Sequence, residues 1–106
     1  MKTSREVVHI PVPMQAVADF CRRHRVRELA LFGSVLRNDF TERSDVDVLI
    51  DPGPGHEHTL DERLTMQEEL ATLFGREVDL VYQDLLDKYI RDDVLKSRRV
   101  FYVAAQ

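Results

Sequence analysis

The sequence of 106 residues has one cysteine, no tryptophan, and four residues each of glycine and proline. The lone Cys21 cannot form an intramolecular disulfide, which excludes a disulfide-stabilised scaffold and is typical of a reducing cytoplasm. The longest apolar run, residues 100–105, is far shorter than the ~18 residues that span a bilayer. No signal-peptide pattern opens the chain. We therefore expect a cytoplasmic protein with no membrane segment.

An excess of positive charge is also missing. Nineteen acidic and fifteen basic residues give a formal net charge of -4, so the charge expected of a general nucleic-acid binder is absent. We expect no direct nucleic-acid binding. Arginines cluster at residues 22–27 and at Arg98 and Arg99, where a solvated surface is the simplest interpretation. The length and the 43% apolar content predict a single domain over residues 1–106.

Apolar spacing and turn residues predict alternating helices and strands. Helices are expected over residues 14–24, 60–74 and 85–95, strands over 27–32, 45–51, 77–82 and 100–103, and a helical turn over 34–37. Thr59 and Glu62 form a capping box, Gly75 is a C-terminal cap, and Asp84 is expected to cap the third helix. The apolar face of the second helix is assigned to Leu60, Leu64, Leu70, Ala71, Leu73 and Phe74. The order predicts an α/β fold, a small mixed sheet flanked by helices.

Three acidic residues, Asp45, Asp47 and Asp79, lie on predicted strands whose alternate residues are apolar. Since strand side chains alternate between faces, the three carboxylates share one face if the two strands pair in register. Like charges held together are costly unless a cation offsets them. Oxygen ligands without His or Cys favour Mg²⁺ or Mn²⁺. The alternative is that these acids lie on the solvated face of a one-sided sheet.

A glycine and a serine, Gly33 and Ser34, follow the first predicted strand directly. Glycine allows close approach of the backbone to a ligand, and successive N–H groups at a helix start bind anions. An ordinary strand-ending turn would use the same residues. Together with the acidic residues, however, this turn indicates phosphate chemistry. His56 and His58 have metal-ligand spacing but lack a third ligand in the sequence.

The constellation is Gly33-Ser34, ten residues, Asp45-Val46-Asp47, and Asp79 one strand later. It resembles the nucleotidyltransferase superfamily typified by DNA polymerase beta, and within it the minimal nucleotidyltransferases (MNT) that are partnered with HEPN toxins. Arg37 and Ser44 also match the usual pattern. The resemblance covers nearly the whole chain.

One segment departs from the family pattern. Val35, Leu36 and Asn38 stand where the family commonly has Arg, Ala and Gly, which removes one cation and one glycine from the loop. Weaker or differently shaped phosphate contacts are the expected result. The metal-ligand positions do not depart.

The resemblance implies the polymerase beta-like fold and a two-metal reaction. Asp45, Asp47 and Asp79 would hold two Mg²⁺ ions, with Asp79 as the base, and Gly33, Ser34, Arg37 and Ser44 would bind the nucleotide. ATP would be the substrate and AMP the transferred group.

The resemblance also implies a partner, a HEPN ribonuclease toxin that receives AMP on a tyrosine and is thereby neutralised, so that this chain would be its antitoxin. A hetero-oligomer with the toxin, or a homodimer, would be the working assembly. Two alternatives remain open. One is a non-catalytic antitoxin that occludes the toxin, and the other is a standalone nucleotidyltransferase acting on a small molecule.

Overall fold

The computed structural model describes residues 8–55 and 57–105, and it has the predicted alternation of helices and strands. The helices are α1 (Met14–Arg23), α2 (Leu60–Phe74) and α3 (Lys88–Ser97), and the strands are β1 (Glu28–Phe32), β2 (Val46–Asp51), β3 (Val78–Tyr82) and β4 (Arg99–Val103). Two 3₁₀ turns, Gly33–Leu36 and Gln83–Leu85, follow β1 and β3.

The four strands form one sheet in the order β3-β2-β1-β4. β1 is antiparallel to both β2 and β4, whereas β2 and β3 run parallel. The prediction of a small mixed sheet flanked by helices is therefore confirmed. No helix among residues 8–55 and 57–105 has the length and apolar character to cross a bilayer.

Helices cover both faces of the sheet. On one face α1 and α2 bury the main core, and α1 contributes Phe20 and Cys21 to it. Burial raises the pKa of the Cys21 thiol to about 12. On the other face Val94 of α3 packs against Ala30 and Leu49 from the two central strands. The apolar side of α3 therefore lies on the face that also carries the carboxylate of Asp47.

The apolar face predicted for α2 was wrong at two positions. Leu60 and Leu64 are exposed, and Met66, which the prediction omitted, is fully buried. The reason is geometric, because the face that packs on the sheet includes Met66 and Leu70. Leu60 and Leu64 instead lie on the flank of the helix beside the end of β3.

The predicted start of the third helix was also wrong. Asp84 lies in the second 3₁₀ turn, and Asp87 caps α3 by accepting a hydrogen bond from the Tyr89 N–H at 3.0 Å. Asp84 and Asp87 are three residues apart, and either aspartate could cap a helix that follows it. The intervening 3₁₀ turn delays the helix, and this cannot be inferred from local sequence.

The capping box of α2 is present as predicted, and it gives a stability test. Thr59 Oγ1 accepts from the Glu62 N–H at 3.1 Å, and Glu62 Oε1 accepts from the Thr59 N–H at 2.7 Å. We expect Thr59→Ala to lower the free energy of unfolding by about 1 kcal/mol, because the first turn loses one of its acceptors. Urea denaturation measures this. Thr65→Ala, at an exposed site in the same helix, is the control, and an equal loss there would contradict the assignment.

Candidate active site

The turn after β1 brings backbone against a carboxylate. Gly33 has φ +77°, and a Cβ added there would collide with Asp47 Oδ2 and lie 3.3 Å from Asp47 Cγ. Phe32, at the end of β1, is the antiparallel partner of Asp47. Glycine is therefore required at this position for two reasons. The backbone is left-handed, and the Asp47 side chain occupies the space that a Cβ would need.

The parallel pairing of β2 and β3 brings two of the predicted acids together. Asp47 and Asp79 are register partners, so their strands place them about 5 Å apart at the backbone. Asp45 is exposed and lies one residue before β2. The alternate residues Val46 and Val48 are fully buried on the other face. The three acids thus lie near one another, and their face is opposite the main core.

This proximity affects the ionisation of Asp47. Its pKa is raised, first by burial and then by the charges of Asp79 and Asp45, and the nearby Arg37 partly opposes the rise. Each cause except Arg37 disfavours the ionised carboxylate. A bound cation would remove that penalty, and hard carboxylate oxygens suit a divalent ion such as Mg²⁺.

In the described residues, no group of three or more His, Cys, Asp and Glu side chains is arranged to hold one metal ion. Mg²⁺ does not require such a group. It is commonly held by one or two carboxylates, with water and substrate phosphates as the other ligands. The donor set around Asp47 therefore fits Mg²⁺ that is bound together with a nucleotide.

A cleft of about 660 Å³ opens beside this cluster. One wall consists of Phe32, Gly33, Leu36, Arg37 and Asp47, and the other consists of residues from α3 and the start of β4: Asp93, Val94, Lys96, Ser97, Arg98 and Arg99. Of the residues predicted from sequence, three line this cleft: Gly33, Arg37 and Asp47. Ser34, Ser44, Asp45 and Asp79 are not among its lining residues.

The sequence interpretation missed the cations of the second wall. Arg98 is anchored, since its Nε donates to Glu28 Oε2 at 3.1 Å and it also donates to the Leu95 carbonyl. The Arg99 guanidinium lies 5.8 Å from the centre of the Phe101 ring. The signal was visible as the Arg98–Arg99 pair, which we interpreted as a solvated surface. With Lys96 and Arg37 these residues make the cleft suited to a polyanion.

Ser44, predicted to bind nucleotide, has a structural role in the loop before β2. Its Oγ accepts from the Thr41 N–H at 3.0 Å, and the Arg76 guanidinium donates to the Thr41 and Ser44 carbonyls, both at 3.1 Å. These contacts close the loop that leads into Asp45. Nucleotide contact by Ser44 stays a prediction.

Of the two histidines spaced for metal ligation, His56 lies outside the described residues. His58 is occupied in the protein, because its Nε2 donates to the His24 carbonyl at 2.7 Å and its Nδ1 accepts from the Tyr82 hydroxyl at 2.9 Å. Burial also raises the pKa of Tyr82. His58 thus connects α1 to β3 and is part of the scaffold.

A glycine turn against paired carboxylates beside a cationic cleft is an arrangement suited to a bound phosphate and a divalent cation. The sequence profile of the nucleotidyltransferase domain matches residues 14–101. The chain belongs to this family.

Its similarity to a curated protein is substantial. It is 40% identical over 85 residues to the protein adenylyltransferase MntA of Thermococcus cleftensis, covering 76% of this chain and 78% of the relative. Among solved structures, one described provisionally as a minimal nucleotidyltransferase is 32% identical with a TM-score of 0.69, covering 81% of this chain and 86% of that one.

Two complexes show the same fold at lower identity. A toxin–antitoxin structure with AMP-PNP has a TM-score of 0.71 at 17% identity and covers 88% and 75% of the two chains. A tri-AMPylated Shewanella oneidensis HEPN toxin in complex with its MNT antitoxin has a TM-score of 0.63 at 17% identity and covers 86% and 70%. At these identities the likeness concerns the fold.

The Gly33 contact gives a matched pair of variants. We expect Gly33→Ala to lower the free energy of unfolding by about 2 kcal/mol, because the substitution adds a collision with Asp47 to the backbone strain. Gly55→Ala is the control, since Gly55 has φ +78° with nothing within 4 Å of an added Cβ. Urea denaturation of both variants measures the difference. Equal losses would show that the Asp47 contact is unimportant.

The raised pKa of Asp47 predicts that neutralising this residue stabilises the metal-free protein. Because the pKa of Asp47 is higher in the folded protein than in the unfolded chain, ionising this carboxyl lowers the free energy of unfolding. The loss sets in as the pH rises through the folded-state pKa. At pH 7 the wild type therefore carries the full cost, and we expect Asp47→Asn to have the higher Tm in EDTA. The advantage should shrink below about pH 4, where Asp is protonated in the unfolded chain as well. A pH series of thermal melts tests this, and a lower Tm at pH 7 would contradict it.

Proposed function

We propose that the protein is an antitoxin nucleotidyltransferase that uses ATP and Mg²⁺ to transfer AMP to a tyrosine of a partner HEPN ribonuclease toxin. The observation that carries the proposal is the register of Asp47 with Asp79, beside Gly33 and at the edge of a cationic cleft. The similarity to the protein adenylyltransferase of Thermococcus cleftensis supports adenylyl transfer to a protein. The toxin complexes support the class of partner.

Each site residue has a proposed role. Asp45, Asp47 and Asp79 would hold two Mg²⁺ ions, with Mn²⁺ as a substitute. When bound, such a metal pair lowers the pKa of the attacking hydroxyl and offsets charge on the leaving group. The Gly33 N–H and the Ser34 hydroxyl would contact the β- and γ-phosphates. Ser44 would also bind the nucleotide. Arg37 and the cations of the opposite wall neutralise the triphosphate.

The reaction is an in-line displacement at the α-phosphorus. The tyrosine oxygen forms a bond to phosphorus as the bond between the α-phosphorus and its bridging oxygen to the β-phosphate breaks, and pyrophosphate leaves. Asp79 is proposed as the base that takes the phenolic proton, since it is exposed next to Asp47.

The acidic balance of the chain suits a basic partner. A net charge of -4 favours association with a nuclease that binds RNA through positive charge. AMP on a tyrosine adds a negative phosphodiester and bulk where RNA would bind. Repulsion between like charges would then inhibit the nuclease, as for other charge-adding modifications.

The decisive experiment is the intact mass of the HEPN-domain protein of the same genome after incubation with this protein, ATP and Mg²⁺. We expect a gain in whole AMP units, located on tyrosine by fragmentation. The gain should be absent with Asp45→Asn/Asp47→Asn and in EDTA. A stable complex with no gain from any of the four nucleoside triphosphates would replace this proposal with the occluding antitoxin. Transfer to a small molecule without complex formation would replace it with the standalone enzyme.

A further inference from the structure

The outer edge of β3 pairs with no other strand among the described residues. The Val46 N–H donates to the Glu77 carbonyl at 3.0 Å. Because Val46 pairs with Val78 in a parallel ladder, Asp79 and Val81 direct their backbone groups toward β2. Residues 78, 80 and 82 direct theirs outward, and no described strand pairs with that side. The outward Leu80 N–H makes only a long contact of 3.4 Å with Gln67 Oε1. An open edge of this kind is a template for another strand.

Exposed leucines lie beside this edge. Leu60, Leu64 and Leu85 are 70%, 53% and 67% exposed, and all three line a groove of about 350 Å³ that also contacts Leu80 and Tyr82. Large apolar side chains in one continuous patch mark interaction sites on soluble domains. The groove has room for one or two aliphatic side chains. We call the outward edge of residues 78–82 together with these three leucines the β3-edge surface.

The charges around the β3-edge surface are acidic. Four exposed carboxylates flank it: Glu68, Glu77, Asp79 and Asp84. Two arginines of the same region, Arg63 and Arg76, have their guanidinium groups against aromatic rings, and Arg63 also lines the groove. The Arg63 guanidinium lies 4.6 Å from the Tyr82 ring centre, and the Arg76 guanidinium lies 4.6 Å from that of Phe40. A second copy of this chain would bring the same negative charges to the contact, whereas a basic partner is attracted.

We propose that the β3-edge surface is the docking site for an extended segment of the acceptor protein, which adds to β3 as a strand. Its aliphatic side chains fill the groove, and its Lys or Arg residues meet Glu68, Glu77 and Asp84, which leaves Asp79 free for its proposed role in the site. β3 carries Asp79, so docking there brings the acceptor to the edge of the carboxylate cluster. The proposal rests on the proposed function only in taking the acceptor to be a protein.

Single substitutions test the leucines. We expect Leu64→Asp and Leu85→Asp each to weaken binding of the HEPN-domain protein about tenfold or more, because a charge enters an apolar contact. AMP transfer should fall in parallel, with ATP affinity and Tm unchanged. Met14→Asp is the control, since Met14 on α1 has the same 53% exposure as Leu64. Unchanged binding by both leucine variants would overturn the docking site.

Amide hydrogen exchange tests strand addition itself. In the free protein the amides of Leu80 and Tyr82 should exchange faster than those of Asp79 and Val81, which bond to β2. In the complex the Leu80 and Tyr82 amides should become protected, and the inward pair should change little. Protection of the leucine-bearing helix without protection of Leu80 and Tyr82 would show side-chain docking and overturn strand addition.

A synthetic peptide separates this proposal from the proposed function. A ten-residue peptide that alternates valine and lysine should protect the same amides, and its glutamate counterpart should not. If the HEPN-domain protein fails to bind but the valine–lysine peptide protects Leu80 and Tyr82, the docking surface stands and the partner is wrong. If the HEPN-domain protein binds and receives AMP without protection at these amides, the proposed function stands and the docking surface is wrong. If neither probe gives protection, the docking surface is abandoned.

Discussion

The parallel register that sets Asp47 beside Asp79 is the constraint on which the structure depends. It holds two carboxylates together, and burial and neighbouring charge disfavour ionisation of Asp47. The opposite face of the same strands compensates, because Val46 and Val48 are fully buried there. Apolar burial on one face thus holds like charges in place on the other. The free-energy cost of holding the like charges together falls on one face of the sheet, and the stabilisation from apolar burial comes from the other face.

The turn at Gly33 approaches the Asp47 side chain closely, and the antiparallel pairing of β1 with β2 brings it there. β1 is antiparallel to β2 and ends opposite Asp47, so the turn at Gly33 must pass over that side chain. A parallel neighbour on one side of β2 and an antiparallel neighbour on the other therefore converge on one carboxylate. In this mixed sheet, one residue thus receives a second acid from its parallel neighbour and a turn from its antiparallel neighbour.

Much of this arrangement could be predicted from sequence because it follows from short-range periodicity. Alternation along β2 reveals which residues share a face, and the residues from Thr59 to Gly75 show where α2 begins and ends. The cations of the cleft could not be predicted in the same way. Lys96 and Arg98 reach it because Val94 of α3 packs on the sheet against Ala30 and Leu49, which sets the end of this helix beside the cleft. That contact joins residues far apart in sequence. The exposed Leu60 and Leu64 were missed because their environment depends on where β3 ends.

The order of the strands gives the proposed reaction its direction. The sheet runs β3-β2-β1-β4, so Asp47 on β2 lies between the Gly33 turn after β1 and the outer edge at β3. The cationic cleft lies on the β1 and β4 side, where the proposed reaction would release pyrophosphate. An acceptor docked on β3 enters from the other side. In-line displacement requires the entering and leaving oxygens to lie on opposite sides of phosphorus. In the proposed reaction, the carboxylates near β2 and β3 and the proposed phosphate contacts near β1 and β4 would therefore approach phosphorus from opposite sides of the sheet, without a second domain.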